Sequence, residues 1–508
     1  MQRKQLTLVI VSLLVVVLSV SLAYFTAQII GKGKTVDVSS ANLQIVFTDS
    51  DGALTETDIE PGWTKTKTFT IKNDTKTEYK YNIVIKDLVN TFVTNGYLQY
   101  KITTTNGGYN MTEFKDIPKS SAPKDTILAY SVSIPVGVTQ SYTIEFKYAN
   151  DESVDQSDDM GKKLSGTLFI TEGTEQPTLL SQILNDNPTR STRSNNNNGT
   201  NDFATTLTTT TTGTLFTSTE SITGITDTPK EVYYYAGNTT NNWVKFANLY
   251  WRIIRTNHDS SIRLLYVGTS HDTTTGNIGT SLFNQNYDSP KYVGYKYGED
   301  TSLDTIRNNT TDSTIKTTID TWYQNNLTNY TKYLSTSAVY CNDRSEGTGQ
   351  TYSASADFNF APYYRMDYDT DGAKANPSYN CTNIKDAFSV DNTSAKLDYP
   401  VSLMTADEIA FAGGVAFQNM STPYAWFISN SAGTQVSTDW WSLSPIVWRG
   451  SRASVWYWNS GFAGLIYSNV DGAGAVRPAI SLKSCIKYST GNGTYETPYE
   501  IVETSSGC

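Results

Sequence analysis

Apolar side chains that recur at every second position constrain this chain more than any other feature. Tyr79, Tyr81, Ile83 and Ile85 alternate with Lys80, Asn82 and Val84, and Tyr142, Ile144, Phe146 and Tyr148 alternate with Thr143, Glu145 and Lys147. A repeat of two puts successive side chains on opposite faces of an extended backbone, so these runs become half-buried strands rather than helices. Similar runs cover Leu43–Phe47, Trp63–Ile71, Leu98–Thr103, Ile127–Ile134 and Leu164–Ile170, with Gly, Pro, Asn and Asp between them. About seven such strands over residues 35–172 predict an antiparallel β-sandwich.

The chain of 508 residues exceeds what one core holds, so further domains are expected. Arg3 and Lys4 precede an apolar run from Leu6 to Ala23 that stays mostly apolar to Ile30 and ends at Gly31-Lys32-Gly33-Lys34. A short basic segment before such a run is an export signal. Ser21-Leu22-Ala23 fits cleavage after Ala23, whereas the full run of ~25 residues is long enough to span a bilayer. Residues 1–34 are therefore read as a signal peptide or a retained membrane anchor, with both open. The four cysteines, Cys341, Cys381, Cys485 and Cys508, suit disulfides in an exported chain. Sequence proximity pairs Cys341 with Cys381 and Cys485 with Cys508, the other two connectivities remaining open. A net charge of −10 with 17% charged residues argues against a nucleic-acid partner.

Within residues 35–172, several stretches resemble the camelysin-like family of secreted biofilm-matrix fibre proteins. They are Leu22-Ala23-Tyr24-Phe25-Thr26 at the membrane exit, Val38 to Phe47, Glu60-Pro61-Gly62-Trp63, and Lys67-Thr68-Phe69-Thr70-Ile71-Lys72-Asn73. The resemblance implies that the first strand can leave its own sandwich and complete a neighbour's, giving a homo-oligomer by strand addition. The large C-terminal addition departs from that pattern. Residues 173–228, with Asn195 to Asn198, Gly199 and the run Thr208 to Thr212, read as a low-complexity Thr/Asn-rich linker, interrupted by one short amphipathic helix from Thr178 to Asn187.

Residues 229–508 form the remaining module. Val232–Ala236, Trp243–Arg255 and Ile262–Val267 read as strands, Thr314–Leu327 as a helix capped at Asp312-Ser313, and Ala406–Ala412 as a short helix after Thr405. Few helices among short irregular strands indicate an α+β domain. Five stretches resemble a domain of unknown function that recurs in surface proteins of gut Firmicutes. They are Trp251-Arg252-Ile253-Ile254-Arg255, Tyr340-Cys341-Asn342-Asp343-Arg344-Ser345, Tyr399 to Glu408, Trp441-Ser442-Leu443-Ser444-Pro445 and Val476 to Leu482. That domain looks like a relative of the C-type-lectin and formylglycine-generating-enzyme folds, so the resemblance implies a C-type-lectin-like module. The whole chain is thus expected to be mainly β with an α+β C-terminal part.

The stretch Asp439–Asp471 is dense in aromatic residues interleaved with Arg and Asn. In lectin-like folds the loops before the last strand carry the ligand surface, which nominates Trp448, Arg449, Trp456, Tyr457, Trp458, Asn459, Tyr467 and Asn469. Aromatic faces stack on sugars or fill protein hot spots, and Arg and Asn add directional hydrogen bonds. In a strand every second aromatic points inward, so part of this set belongs to a core. Asp367, Asp369 and Asp371 before Gly372 match the start of a calcium loop, but the twelfth position is Ser378 rather than Glu; a weak structural calcium site and a solvated acidic turn both fit. No other cofactor is indicated. Asp407-Glu408 read as the acids of a helix first turn. With two histidines, His258 and His271, and no carboxylate pair, Ser/His/Asp set or phosphate loop recognisable, no catalysis is read from the sequence. The expected function is a cell-surface, adhesin-like recognition protein, membrane-anchored or secreted, binding an extracellular glycan or protein. A fibre-forming matrix subunit and a glycan-processing surface enzyme are the alternatives.

Overall fold

The computed structural model describes residues 35–40, 43–49, 54–56, 59–94, 96–196, 200–204, 207, 209–366, 375–417, 425–432 and 439–508. Residues 1–34, expected to be a signal peptide or membrane anchor, and the acidic residues Asp367, Asp369 and Asp371, candidates for a calcium site, lie outside them. No helix among the described residues is long and apolar enough to cross a membrane. The protein is mainly β, built of several sheets, and divides into two compact units, Met1–Gln176 and Pro177–Cys508.

Among the described residues the first unit contains ten strands: β1 (Thr35–Ser40), β2 (Leu43–Asp49), β3 (Leu54–Glu56), β4 (Thr64–Asn73), β5 (Tyr79–Asn90), β6 (Leu98–Thr105), β7 (Lys115–Asp116), β8 (Ser120–Ile134), β9 (Thr139–Tyr148) and β10 (Leu164–Glu172). They form two antiparallel sheets, ordered β1-β2-β4-β9-β6-β7 and β3-β10-β5-β8. The period-two pattern sets which side chains face inward. Along β9, Gln140, Tyr142, Ile144, Phe146 and Tyr148 are buried while the residues between them are not. Their partners on β4 follow the same rhythm, and Phe69, directly opposite Tyr142, stacks on it with ring centroids 4.8 Å apart. Such a cross-strand aromatic pair adds about 0.5–1.5 kcal/mol beyond the area it buries. Tyr81, Ile83 and Ile85 of β5 join these residues in one core shared by both sheets.

On β5 the opposite face is also covered. Asn82 is buried, and its amide satisfies three backbone groups: Nδ2 donates to the Glu172 carbonyl at 2.9 Å, while Oδ1 accepts from Ser131 N at 2.9 Å and Thr174 N at 3.1 Å. A polar residue survives there because its hydrogen bonds replace those lost with water.

The second unit starts well before residue 229, which corrects the reading of 173–228 as a linker. Helix Leu179–Asp186 is capped by Thr178 and buries Leu179 and Ile183 in the main core. Strands Thr214–Ile222 and Thr226–Tyr234 pair with each other, and the latter pairs with Leu249–Thr256. The Thr- and Ser-rich composition misleads because β-branched threonines suit a strand, and this one also buries Leu215, Phe216 and Ile222. Two larger sheets organise this unit. One carries strands Trp243–Phe246, Leu249–Thr256, Ile262–Gly268 and Pro478–Leu482; the other runs Thr280–Leu282, Ala473–Ala475, Trp440–Trp448, Ala453–Asn459, Gly464–Asn469. Helix Thr314–Asn326 begins at the N-cap Ser313 and buries Ile315, Ile319 and Tyr323; helix Ala406–Phe411 follows the capping box of Thr405 and Glu408. Disulfides join Cys341 to Cys381 and Cys485 to Cys508, the connectivity that sequence proximity favours, and they fit an oxidising compartment.

Candidate functional site

The aromatic stretch nominated as a ligand surface is for the most part core. Trp456, Trp458 and Trp448 are at most 1% exposed, and Tyr457 is buried as well. Trp458 meets Phe427 edge to face at 4.9 Å, Trp456 meets Phe417 at 5.2 Å, and Tyr457 meets Trp441 at 4.8 Å. The physical reason is position in the sheet. Strands Trp440–Trp448 and Ala453–Asn459 are flanked by other strands and covered on both faces, so both sets of alternate residues turn into core. The indole nominations are therefore corrected: Trp448, Trp456, Tyr457 and Trp458 are packing residues. Asn459 is also committed internally, donating to Asp439 Oδ2 at 2.7 Å and accepting from Phe462 N at 2.6 Å to close a hairpin.

What reaches the surface is the rim of this sheet. Tyr467 is 56% exposed on the edge strand Gly464–Asn469. Two residues on, Asn469 accepts from Ser454 Oγ at 3.0 Å in the directly opposed pair Ser454–Asn469. Beyond that pair, the hairpin tip carries exposed Arg449 and Arg452. The Arg449 guanidinium donates to Asn359 Oδ1 at 3.0 Å, and that of Arg452 lies 5.1 Å from the ring centroid of Tyr287, itself partly exposed. Arginine heads, phenols and amides are thus presented together along one margin of the sheet. Of the nominated set, Arg449, Tyr467 and the partly buried Asn469 reach this margin; Arg452 and Tyr287 complete it and were not nominated.

Sequence reasoning missed a second constellation. Arg255 donates through Nε to Glu408 at 2.8 Å and through Nη2 to Glu220 at 2.9 Å, and Arg263 reaches the same Glu408 oxygen at 2.6 Å. Arg365 binds Asp343 at 2.7 Å and grips both oxygens of Asp407, at 2.9 and 3.1 Å. Cys341 of the Cys341–Cys381 disulfide lines the small space beside this lattice, and His258 Nδ1 stands 3.5 Å from Glu220. Burial alone pushes the Glu220 carboxyl up, but Arg255 and His258 together outweigh it and hold the group down to about 2. Free space beside the lattice is about 10 Å³, roughly one water, so these charges serve each other rather than a ligand. The available signal was Arg255 and Arg263 interrupting otherwise apolar strands.

Two further clusters have acid or base character. Asp312, Asp320 and Asp398 converge with metal-like spacing, but the ammonium of Lys316 sits among them, at 3.1, 2.5 and 2.7 Å. An internal cation already fills that cage. Burial would lower the Lys316 pKa, yet the three carboxylates raise it; Asp320, buried beside two like charges, is pushed up to about 6. His271 Nδ1 meets Ser431 Oγ at 2.7 Å, between the rings of Tyr250 and Tyr495. No described carboxylate orients the other imidazole nitrogen, so the pair lacks the third member a nucleophilic serine needs.

No family model matches the chain, and no curated protein matches it. A solved structure titled for AvmM, which catalyses macrocyclization in alchivemycin A biosynthesis, is 12% identical, aligned over 29% of this chain and 100% of that one, at a TM-score of 0.15. A likeness at that level carries no argument about fold or function.

Proposed function

We propose that the protein is a cell-surface recognition protein, exported and held at the membrane by its leader or released after cleavage, whose second unit binds an extracellular glycan or protein. The reading draws on the resemblance of residues 229–508 to lectin-like surface modules and of residues 35–172 to camelysin-like sandwiches. The observation that carries it is the sheet margin: Tyr467 is 56% exposed on an edge strand, beside a hairpin tip with exposed Arg449 and Arg452. Exposed Tyr and Arg with few competing demands are the side chains that dominate binding energy at recognition surfaces. Full-length protein screened against glycan and protein arrays tests this. The double substitution Tyr467→Ala/Arg452→Ala should weaken capture of any ligand found by at least about tenfold, with an unchanged melting curve. Release of a cleaved product from the captured glycan would replace this reading with that of a glycan-processing enzyme.

A second reading, a fibre-forming matrix subunit, is favoured by one observation. Strand β1 ends the six-stranded sheet and pairs antiparallel with β2 through six residue pairs, Thr35↔Thr48 to Ser40↔Leu43. A terminal strand held along one side is suited to exchange with a neighbouring copy. Concentration-dependent filaments that vanish on deletion of 35–40 would support it.

A further inference from the structure

The second unit neutralises most of its buried guanidiniums. Arg255, Arg263, Arg307 and Arg344 each reach a carboxylate: Glu220 and Glu408 for the first, Glu408 for the second, Asp386 for the last two. Arg252 and Arg477 are buried as deeply, at 4% and 2% exposure, yet neither has an ion pair with any described carboxylate. Arg252 donates from Nε to Asn242 Oδ1 at 2.5 Å and from Nη2 to the Thr239 carbonyl at 3.0 Å. Its guanidinium lies 4.3 Å from the Trp243 ring centroid and 5.4 Å from that of Trp426. Arg477 donates from Nη1 to the Phe427 carbonyl at 2.9 Å and from Nη2 to the Tyr266 carbonyl at 3.3 Å, and its guanidinium lies 5.2 Å from the Trp440 centroid. Its Nε–H, fully buried, has no described partner.

The two heads border the same dipeptide: Arg252 lies against the Trp426 ring and Arg477 donates to the Phe427 carbonyl. Burial pushes the pKa of each down to about 9, and for Arg252 the Arg477 charge adds to the effect. The nearby chain cannot supply the missing charge. Residues 418–424 and 433–438, on either side of this dipeptide, contain no Asp or Glu. Asp439, the next acid along the chain, is engaged by Asn459 and Ser460. Two buried like charges without a counter-ion are costly, and an anion between them removes both the desolvation and the repulsion.

We infer that Arg252 and Arg477 hold one small inorganic monoanion of halide size in the aromatic surround of Trp243, Trp426 and Trp440. The donor pattern selects the ion. Carboxylates and phosphates bind arginine through two parallel N–H donors. Each Nη of Arg477 gives one N–H to a carbonyl, and Nε is its one guanidinium nitrogen with no described partner, a lone donor that a spherical ion can meet without a second, parallel one.

The test is the melting of the full-length protein at constant ionic strength in sodium chloride against sodium gluconate. Tryptophan emission follows it, since only Trp63 of the ten tryptophans lies outside the second unit. Chloride should raise the midpoint by roughly 3 °C per tenfold increase once the site is more than half filled. Bromide should act likewise, and gluconate should have no effect. Arg477→Met should abolish the chloride dependence and melt in gluconate no lower than the wild type, because it removes an uncompensated charge; Arg252→Met should do the same if the first variant does not fold. Equal wild-type midpoints in chloride and gluconate would overturn the inference, as would a chloride dependence that survives both substitutions. The wild-type comparison decides the matter alone should neither variant fold.

Discussion

Glu408 follows Thr405 by three residues, and as sequence that spacing describes only a helix cap. The cap is there: Thr405 N donates to Glu408 Oε2 at 2.9 Å, and Glu408 N donates to Thr405 Oγ1 at 3.0 Å. The same carboxylate also neutralises Arg255 and Arg263, residues 153 and 145 positions away. Removing that charge leaves two buried guanidiniums short of a partner, so Glu408→Gln should lower stability by about 3–5 kcal/mol in urea unfolding. Its neighbour Glu220, held down to about 2 from an ordinary 4.5, gives stability that is complete above pH 4.5 and is lost as pH falls towards 2. Asp320 runs the other way. Its native pKa of about 6 lies above the ordinary 3.8, so its contribution is complete below pH 3.8 and lost as pH rises through 6. Asp320→Asn should therefore flatten the fall in melting midpoint between those limits, while Glu220→Gln should blunt the acid loss.

At the scale of elements, signals confined to a few residues survived into the structure. Helices at Leu179, Thr314 and Ala406 begin behind the N-caps Thr178, Ser313 and Thr405, because a cap needs only a side-chain oxygen and an N–H three residues on. The strands of the first unit were legible because one face meets a core and the other meets solvent for much of their length. The aromatic strands of the second unit were not, since burial of both faces erases the alternation that separates contact from core. Trp456→Ala and Trp458→Ala should each cost about 3–5 kcal/mol by cavity formation, seen as a lowered denaturation midpoint rather than as selective loss of ligand. The Cys341–Cys381 link spans 40 residues and ties the segment around Tyr340 to the bridge between Ile222 and Cys381. A Cys341→Ser/Cys381→Ser variant should lose about 4 kcal/mol in the loop-entropy account, measured against wild type under non-reducing conditions.

For the whole molecule, the boundary lies at Gln176–Pro177 rather than after a long tether. Limited proteolysis should release a stable fragment starting near Pro177. A 177–508 fragment should unfold cooperatively, and a 229–508 fragment should not, because it lacks Leu179, Ile183 and Leu215 of the main core and the strand Thr214–Ile222. Cooperative melting of 229–508 at the same midpoint would contradict this division. Composition misplaced the boundary because threonine and asparagine look alike whether they solvate a tether or decorate the outer face of a strand.

The sequence alone determined a chain that is mainly β and the starts of three helices, and it favoured the proximity pairing of the cysteines, all of which depend on near neighbours and period. Tertiary structure decided which aromatics are core, where the second unit starts, and that Glu220 and Glu408 meet Arg255. Burial and charge pairing between residues far apart in the chain depend on which strands lie side by side, and local sequence does not encode that adjacency.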